Sequence, residues 1–147
     1  MGFLWTLSTL LAGLNAGILV SGLLEGVYMK RVSLSGYLQM HQPRDALLSR
    51  WMPPILIALM VSCLLLGLLN LGRIEATLAF LTFFLVVTDV VITVRLMVPL
   101  NMQLQTYNAL NPVQEAQNIR TRWYALHPWR TLLGVSAFLV LLTMAWI

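Results

Sequence analysis

Four long runs of apolar residues constrain the fold of this chain more than any other feature of its sequence. They cover residues 3–29, 51–71, 76–98 and 129–147, and the last of them has only 19 residues. A helix needs about 20 apolar residues to cross the roughly 30 Å hydrocarbon core of a bilayer. Inside lipid only helices and closed barrels satisfy their backbone hydrogen bonds, and these runs lack the alternation of barrel strands. The sequence therefore predicts an all-α bundle of four transmembrane helices that forms a single integral membrane domain.

The composition excludes the soluble classes of protein. Of the 147 residues, 59% are hydrophobic and only 10% are charged, whereas a soluble domain is typically about one quarter charged. The net charge of +4 does not indicate nucleic-acid binding, because the cations lie along the ends of the apolar runs and no separate basic domain carries them. We therefore expect membrane lipid around the protein and no nucleic-acid partner.

The distribution of lysine and arginine predicts the orientation of the bundle. Eight of these nine residues lie in or beside the connections after spans one and three, and only Arg73 lies on the other side. Cytoplasmic connections are enriched in lysine and arginine. This rule places residues 30–50 and 99–128 in the cytoplasm, with short interfacial helices in both connections, and both termini outside. We expect the protein in the inner (plasma) membrane of a bacterium.

Prolines mark the expected helix ends at the cytoplasmic side. Pro43 should end a short helix or open the next one, and Pro53 and Pro54 should lie at the start of span two, where the first turn tolerates them. Pro99 should kink or end span three. Pro128 should restart the chain as span four.

A capping signal predicts one further helix in the second connection. Asn111 and Pro112 occupy the N-cap and N1 positions of a helix that would run to about residue 126. Helical spacing then places Arg120, Trp123 and His127 on one face. This face would lie at the cytoplasmic end of span four.

Two acidic residues lie inside the predicted spans. Asp89 lies 13 residues into span three and about ten residues from its cytoplasmic end, which at about 1.5 Å per residue is close to 15 Å deep. A carboxylate at such depth costs at least about 2.5 kcal/mol to insert, so it must be paired, neutral or functional. Glu25 lies in the same half of the bundle, so the two can belong to one site. In a purely structural role, the partners would be Thr82 and Thr93 for Asp89, and Arg95 or Lys30 for Glu25.

The two histidines lie in the cytoplasmic connections. His41 follows span one and His127 precedes span four. Imidazoles and carboxylates that converge from several segments can shuttle protons or bind a divalent metal. No pair has a tight ligand spacing such as H-x-x-x-H, so the cofactor stays open between none and iron or copper. The candidate metal ligands are His41, His127, Glu25 and Asp89.

Aromatic residues crowd the segment RWYALHPWRTLLG, residues 122–134. Trp123, Tyr124 and Trp129, together with Trp51 and Tyr107, match the aromatic belt of a membrane interface. Aromatic side chains at the entrance of a pocket can also bind a flat, small apolar substrate that enters from the bilayer. Both interpretations stay open.

Small residues recur at four-residue spacing along span one. Gly13, Gly17 and Ser21 form one stripe, and Gly22 and Gly26 form a second pair beside it. Small residues let helix backbones approach closely, either within a bundle or between protomers. The stripes therefore support an alternative function, a non-catalytic membrane subunit of a homo-oligomer or of a larger membrane complex.

The third and fourth spans carry a family resemblance. The turn Pro99, Leu100, Asn101 is followed about twenty residues later by RW, a histidine and RTLLGVSAFLVLL, and the glycine-rich first span ends in GVY. This pattern resembles the small four-helix membrane family that includes the anthrone oxygenases. The resemblance implies insertion of oxygen from O2 into an activated carbon of an anthrone-like aromatic polyketide, without a conventional flavin or haem. Residues 37–45, YLQMHQPRD, depart from the family's pattern, which leaves the substrate and any role of His41 open.

The resemblance also implies a set of site residues. Its motif positions correspond to Asn101, Arg122, Trp123, His127 and Arg130. We predict a membrane-embedded oxygenase or related redox enzyme in which His127 removes a substrate proton, because an imidazole exchanges protons near neutral pH. Arg130 or Arg122 would stabilise the enolate-like charge, Asn101 would orient the substrate and Trp123 would stack on it. The remaining candidates are Glu25, Asp89 and His41 as proton relays or metal ligands, and Tyr107 as a further substrate contact.

Overall fold

Helices follow one another through nearly all of the chain in the computed structural model, which describes residues 2–108 and 113–146. Four of the helical stretches in this described part are long and apolar enough to cross a membrane, so the predicted all-α four-helix fold is confirmed. The elements are α1 (Gly2–Met29), α2 (Leu34–Leu69), α3 (Ile74–Ile92), a π-helical turn (Thr93–Met97), α4 (Val98–Thr106), α5 (Val113–Thr143) and a final 3₁₀ turn (Met144–Trp146).

Two helices extend well beyond their predicted spans because they continue through the connections. Pro43, Pro53 and Pro54 lie inside α2, and Pro128 lies inside α5. The expected helix boundaries at these prolines were therefore wrong. A proline removes one backbone hydrogen bond from a helix, but neighbouring helices in a membrane bundle can compensate for that loss. The helical part of the first connection is thus continuous with span two, while the second connection contains the short helix α4.

Local sequence explains how the chain enters α2 and α3. The side chain of Ser33 accepts a hydrogen bond from the backbone N–H of Gly36 at 3.3 Å and caps the start of α2. Gly72 has a φ of 82° in the tight turn between α2 and α3, a backbone conformation that glycine adopts without steric cost. Asn111 and Pro112, the predicted cap of a later helix, lie outside the described residues.

Span three changes its helical type toward its C-terminal end. The π-helical turn Thr93–Met97 directly precedes α4, and Pro99 is the second residue of α4. The chain therefore continues as a helix past Pro99 instead of ending there. Because Pro99 has no N–H for the carbonyl of Arg95, the hydrogen-bond ladder is interrupted at this point. Such π-helical turns occur frequently at functional sites, and Thr93 lines the cavity described below.

The four long helices pack in a ring. α1 and α3 each contact both α2 and α5. One buried cluster, which includes Leu59, Ala79 and Leu141, joins the helices along the spans. A second cluster, which includes Tyr37 and Leu104, joins α1, α2, α4 and α5 near the two long connections. The helices therefore pack tightly both along the spans and near the connections, and the candidate site lies between the four long helices.

The glycines of α1 have two different environments. A Cβ at Gly22 would lie 2.6 Å from Nε2 of His127, and one at Gly26 would lie 3.0 Å from the Tyr124 ring. This pair therefore allows α5 to approach α1 closely within the bundle. A Cβ at Gly17, in contrast, would meet nothing within 4 Å. A Cβ at Gly13, in the same stripe, would lie 3.2 Å from the Phe138 ring, so this stripe faces outward only at Gly17 and Ser21. Association with a second copy or a larger complex stays a prediction.

Candidate active site

A cavity of about 340 Å³ opens between α1, α2, span three and α5. Pockets for small ligands typically measure about 300–1,000 Å³ and combine apolar walls with a few polar groups. The cavity has this character, because methionine, leucine, isoleucine, valine and proline side chains form most of its wall. Its polar or aromatic lining comes from His41, Arg44, Asp45, Ser49, Thr93, Asn101, Trp123, His127 and Arg130.

His127 is fixed in this wall by the backbone of α1. Its Nε2 lies 2.9 Å from the carbonyl oxygen of Leu19. A carbonyl can only accept, so Nε2 must carry the hydrogen. Nδ1 is buried and has no hydrogen-bond partner among the described residues. The neutral ring therefore keeps a free lone pair on Nδ1, as a base requires.

Trp123 lies between the two histidines. Its ring stacks on His127 with a centroid distance of 4.6 Å and an angle of 12° between the planes. It meets His41 edge to face at 5.4 Å. His127 thus covers one face of Trp123. This indole therefore orients the imidazole, in addition to any stacking on a substrate.

A hydrogen-bonded chain from α2 holds Trp123 in place. Asn101 donates to Oδ1 of Asp45 at 2.5 Å and accepts from the indole N–H of Trp123 at 2.8 Å. Gln105 donates to the other oxygen of Asp45 at 3.0 Å. Both functional groups of the Asn101 amide are therefore engaged, and Asn101 acts on the site through Trp123. Sequence reasoning missed Asp45, although it is one of only five acidic residues in the chain.

Asp89 is fully buried and pairs with a cation that the sequence did not assign to it. Its Oδ1 accepts from Nε of Arg130 at 2.8 Å. The predicted partners were wrong, because Thr93 donates to the backbone carbonyl of Asp89 itself and Thr82 donates to the carbonyl of Leu78. A threonine hydroxyl in a helix readily bonds the carbonyl one turn back. Oδ2 of Asp89 has no partner within the described part of the chain.

Glu25 also has an unexpected partner. It forms an ion pair with Arg44 of α2, so the predicted pairing with Arg95 or Lys30 was wrong. Lys30 instead lies over the ring of Tyr124, with Nζ 5.7 Å from its centroid. The physical reason is the continuity of α2 through Pro43, which carries Arg44 along the side of α1.

Arg120 shares a buried face of α5 with Trp123 and His127, as helical spacing predicted. Its guanidinium donates to the carbonyl oxygens of Met29, the last residue of α1, and of Val32 in the connection that follows. It also lies over the ring of Tyr37 at 4.8 Å. Arg120 therefore ties α5 to the backbone at the end of α1 and just beyond it, which is a structural role.

Two predicted substrate contacts lie away from the cavity. Arg122 is on the exposed face of α5, and Tyr107 follows the end of α4, where its carbonyl accepts a hydrogen bond from Gln42. Neither residue lines the cavity. The structure thus brings Asn101, Trp123, His127 and Arg130 together but not Arg122 and Tyr107.

The candidate metal ligands do not converge. Within residues 2–108 and 113–146, no three side chains of histidine, cysteine, aspartate or glutamate are grouped so that they could hold a metal ion. Glu25 and Asp89 each pair with an arginine, and His127 uses Nε2 on a carbonyl. The geometry therefore offers no support for an iron or copper site built from these residues and His41.

Comparison with known proteins identifies the family. The family model described as anthrone oxygenase matches residues 46–140, well over half of the chain. The chain belongs to the anthrone oxygenase family. The match includes Asn101, Trp123 and His127, whereas His41 and Asp45 precede it, so the departure seen at residues 37–45 coincides with the part of the chain before the match. No curated protein and no solved structure matches the chain.

Proposed function

We propose that the protein is a membrane-embedded oxygenase that oxidises a flat, anthrone-like aromatic in the 340 Å³ cavity. The observation that carries this proposal is the state of His127. It lines the cavity, lies within the matched family region, and keeps a buried Nδ1 lone pair because Nε2 is bound to the Leu19 carbonyl. A base held in this way can remove a proton from a bound apolar substrate.

The substrate itself can supply the electrons for the reaction. An anthrone carries an acidic CH2 group opposite its carbonyl, and removal of one proton by His127 gives an enolate. The enolate carbon transfers an electron to O2, recombination forms the C–O bond, and protonated His127 returns its proton to the outer oxygen to give a hydroperoxide. Removal of the second proton from this carbon then breaks the O–O bond, and the departing hydroxide takes up that proton and leaves as water. The CH2 becomes a second ring carbonyl, and the electrons that it loses reduce both atoms of O2.

The neighbours of His127 have distinct roles in this reaction. Arg130 uses Nε on Asp89, which leaves its terminal N–H groups to stabilise negative charge on the substrate. Asn101, held by Asp45, keeps Trp123 stacked on His127. The apolar wall around Leu56 favours a substrate that partitions from the bilayer.

Turnover of anthrone by the purified protein tests this proposal. Oxygen consumption and anthraquinone absorbance are followed in lipid nanodiscs, and ¹⁸O2 should label the new carbonyl. We expect His127→Ala to lower kcat by about 10²- to 10⁴-fold, the usual contribution of a general base. Anthrone also reacts slowly with O2 by itself, so protein-free nanodiscs are the control. A wild-type rate equal to that control would overturn the proposal.

A further inference from the structure

A second imidazole, that of His41, also belongs to the cavity wall and has a buried nitrogen without a hydrogen-bond partner among the described residues. His41 lines the cavity and meets the Trp123 ring at 5.4 Å. Its Nδ1 lies 3.2 Å from the hydroxyl of Tyr37. Its Nε2 is buried and has no hydrogen-bond partner in the described part of the chain. Buried polar atoms are normally bonded, so this nitrogen is suited to a ligand atom.

The Tyr37 hydroxyl decides which kind of ligand atom His41 can meet. Tyr37 is only 1% exposed, and a buried phenol O–H requires an acceptor. Nδ1 of His41 is the acceptor within reach. When Nδ1 accepts, the hydrogen of the neutral imidazole resides on Nε2. His41 therefore carries a free N–H donor, whereas His127 carries a free lone pair, and both residues belong to the cavity wall.

We infer that His41 donates a hydrogen bond to the carbonyl oxygen of the substrate and stabilises the enolate oxygen that forms when His127 takes the proton. This inference rests on the proposed function and narrows its substrate class. The substrate must carry a hydrogen-bond acceptor and an acidic C–H on different sides of one flat ring system. A donor that meets developing negative charge lowers the barrier to enolate formation.

The donor comes from outside the matched family region. The match begins at residue 46, whereas Tyr37 and His41 lie on the earlier turns of α2. The continuity of α2 through Pro43 is what carries them to Trp123. The donor to the carbonyl oxygen of the substrate therefore comes from the first connection of this chain, and the base comes from α5.

Ligand binding without O2 tests the inference. Anthrone and 9,10-dihydroanthracene differ at one ring carbon, which is a carbonyl in anthrone and a CH2 in dihydroanthracene. Their affinities are measured under argon by titration of the wild-type protein in nanodiscs. The ratio of the affinity for anthrone to that for dihydroanthracene is then compared between the wild-type protein and His41→Phe. This variant keeps a ring against Tyr37 and Trp123 but has no N–H. Partition of the ligands into lipid cancels, because the same two ligands are compared across the proteins.

We expect loss of the His41 donor to reduce the preference for anthrone at least about tenfold, since a buried acceptor would lose its partner, while affinity for dihydroanthracene stays unchanged. His41→Gln keeps an N–H and should give an intermediate ratio. Tyr37 is a positioning residue, and Tyr37→Phe should also lower the ratio, because Nδ1 is then free to carry the hydrogen. If His41→Phe does not fold, Tyr37→Phe carries the same test.

An affinity ratio that is unchanged in His41→Phe, or in Tyr37→Phe where that variant replaces it, would overturn the inference. Turnover measured separately distinguishes its failure from that of the proposed function. If the affinity ratio falls in His41→Phe but the wild-type protein does not oxidise anthrone, the role of His41 as a donor is supported and the oxygenase function is refuted. If the wild-type protein oxidises anthrone but the ratio is unchanged in His41→Phe, the oxygenase function is supported and the role of His41 as a donor is refuted.

Discussion

The close approach of α1 to His127 leads to a prediction for Gly22→Ala. The new Cβ would lie 2.6 Å from Nε2 and 2.9 Å from Cε1 of the imidazole, whereas ordinary contacts begin at 3.4 Å. His127 would have to retreat by about 0.8 Å. Nε2 is the atom that bonds the Leu19 carbonyl, so the retreat would lengthen or break that hydrogen bond.

Two effects of known size follow from this displacement. Loss of a buried hydrogen bond costs about 1–3 kcal/mol, and the gain from alanine over glycine inside a helix offsets about 0.5–1 kcal/mol of it. We therefore expect Gly22→Ala to lose up to about 2.5 kcal/mol of stability. Misplacement of a catalytic group by about 1 Å can cost about 10²-fold in rate, so turnover should fall by roughly that factor.

Gly17→Ala is the matched control, because it adds the same methyl group to the same helix where nothing lies within 4 Å. It should keep wild-type turnover and gain up to about 1 kcal/mol of stability. Thermal unfolding in nanodiscs measures stability, and anthraquinone formation measures turnover. Equal stability and equal turnover in the two variants would refute the packing of His127 against α1.

Two further predictions concern the buried ion pair and the cavity wall. Asp89→Asn leaves the guanidinium of Arg130, only 13% exposed, without its charge partner, and should cost about 3–5 kcal/mol. Glu25→Gln breaks a pair whose side chains are each more than a quarter exposed and should cost under about 1 kcal/mol; similar unfolding curves for these two variants would contradict the difference in burial. Met60→Trp should fill the cavity and abolish anthrone binding in the argon titration, whereas Val61→Trp on the exposed side of α2 should bind as the wild type does. Binding that persists in Met60→Trp would place the ligand elsewhere.

The candidate site shows where residue patterns lose their predictive value. Spacing along α5 correctly placed Arg120, Trp123 and His127 on one buried face, because neighbouring turns of a single helix fix such relations. It did not reveal that Arg120 serves the end of α1 while His127 faces the cavity. Asp45 escaped notice for the same reason, since its importance depends on Asn101 of a different helix.

The sequence by itself determined the fold class, because lipid leaves long apolar runs few alternatives to a helix. It also determined the family, because the family model matches residues 46–140 by their sequence. Only the tertiary structure decided the pairs Asp89 with Arg130 and Glu25 with Arg44, and the continuation of α2 through its prolines. Helical periodicity defines a face within one helix, whereas hydrogen bonds and ion pairs between helices depend on their mutual rotation, depth and continuity, which the packing of all four sets together.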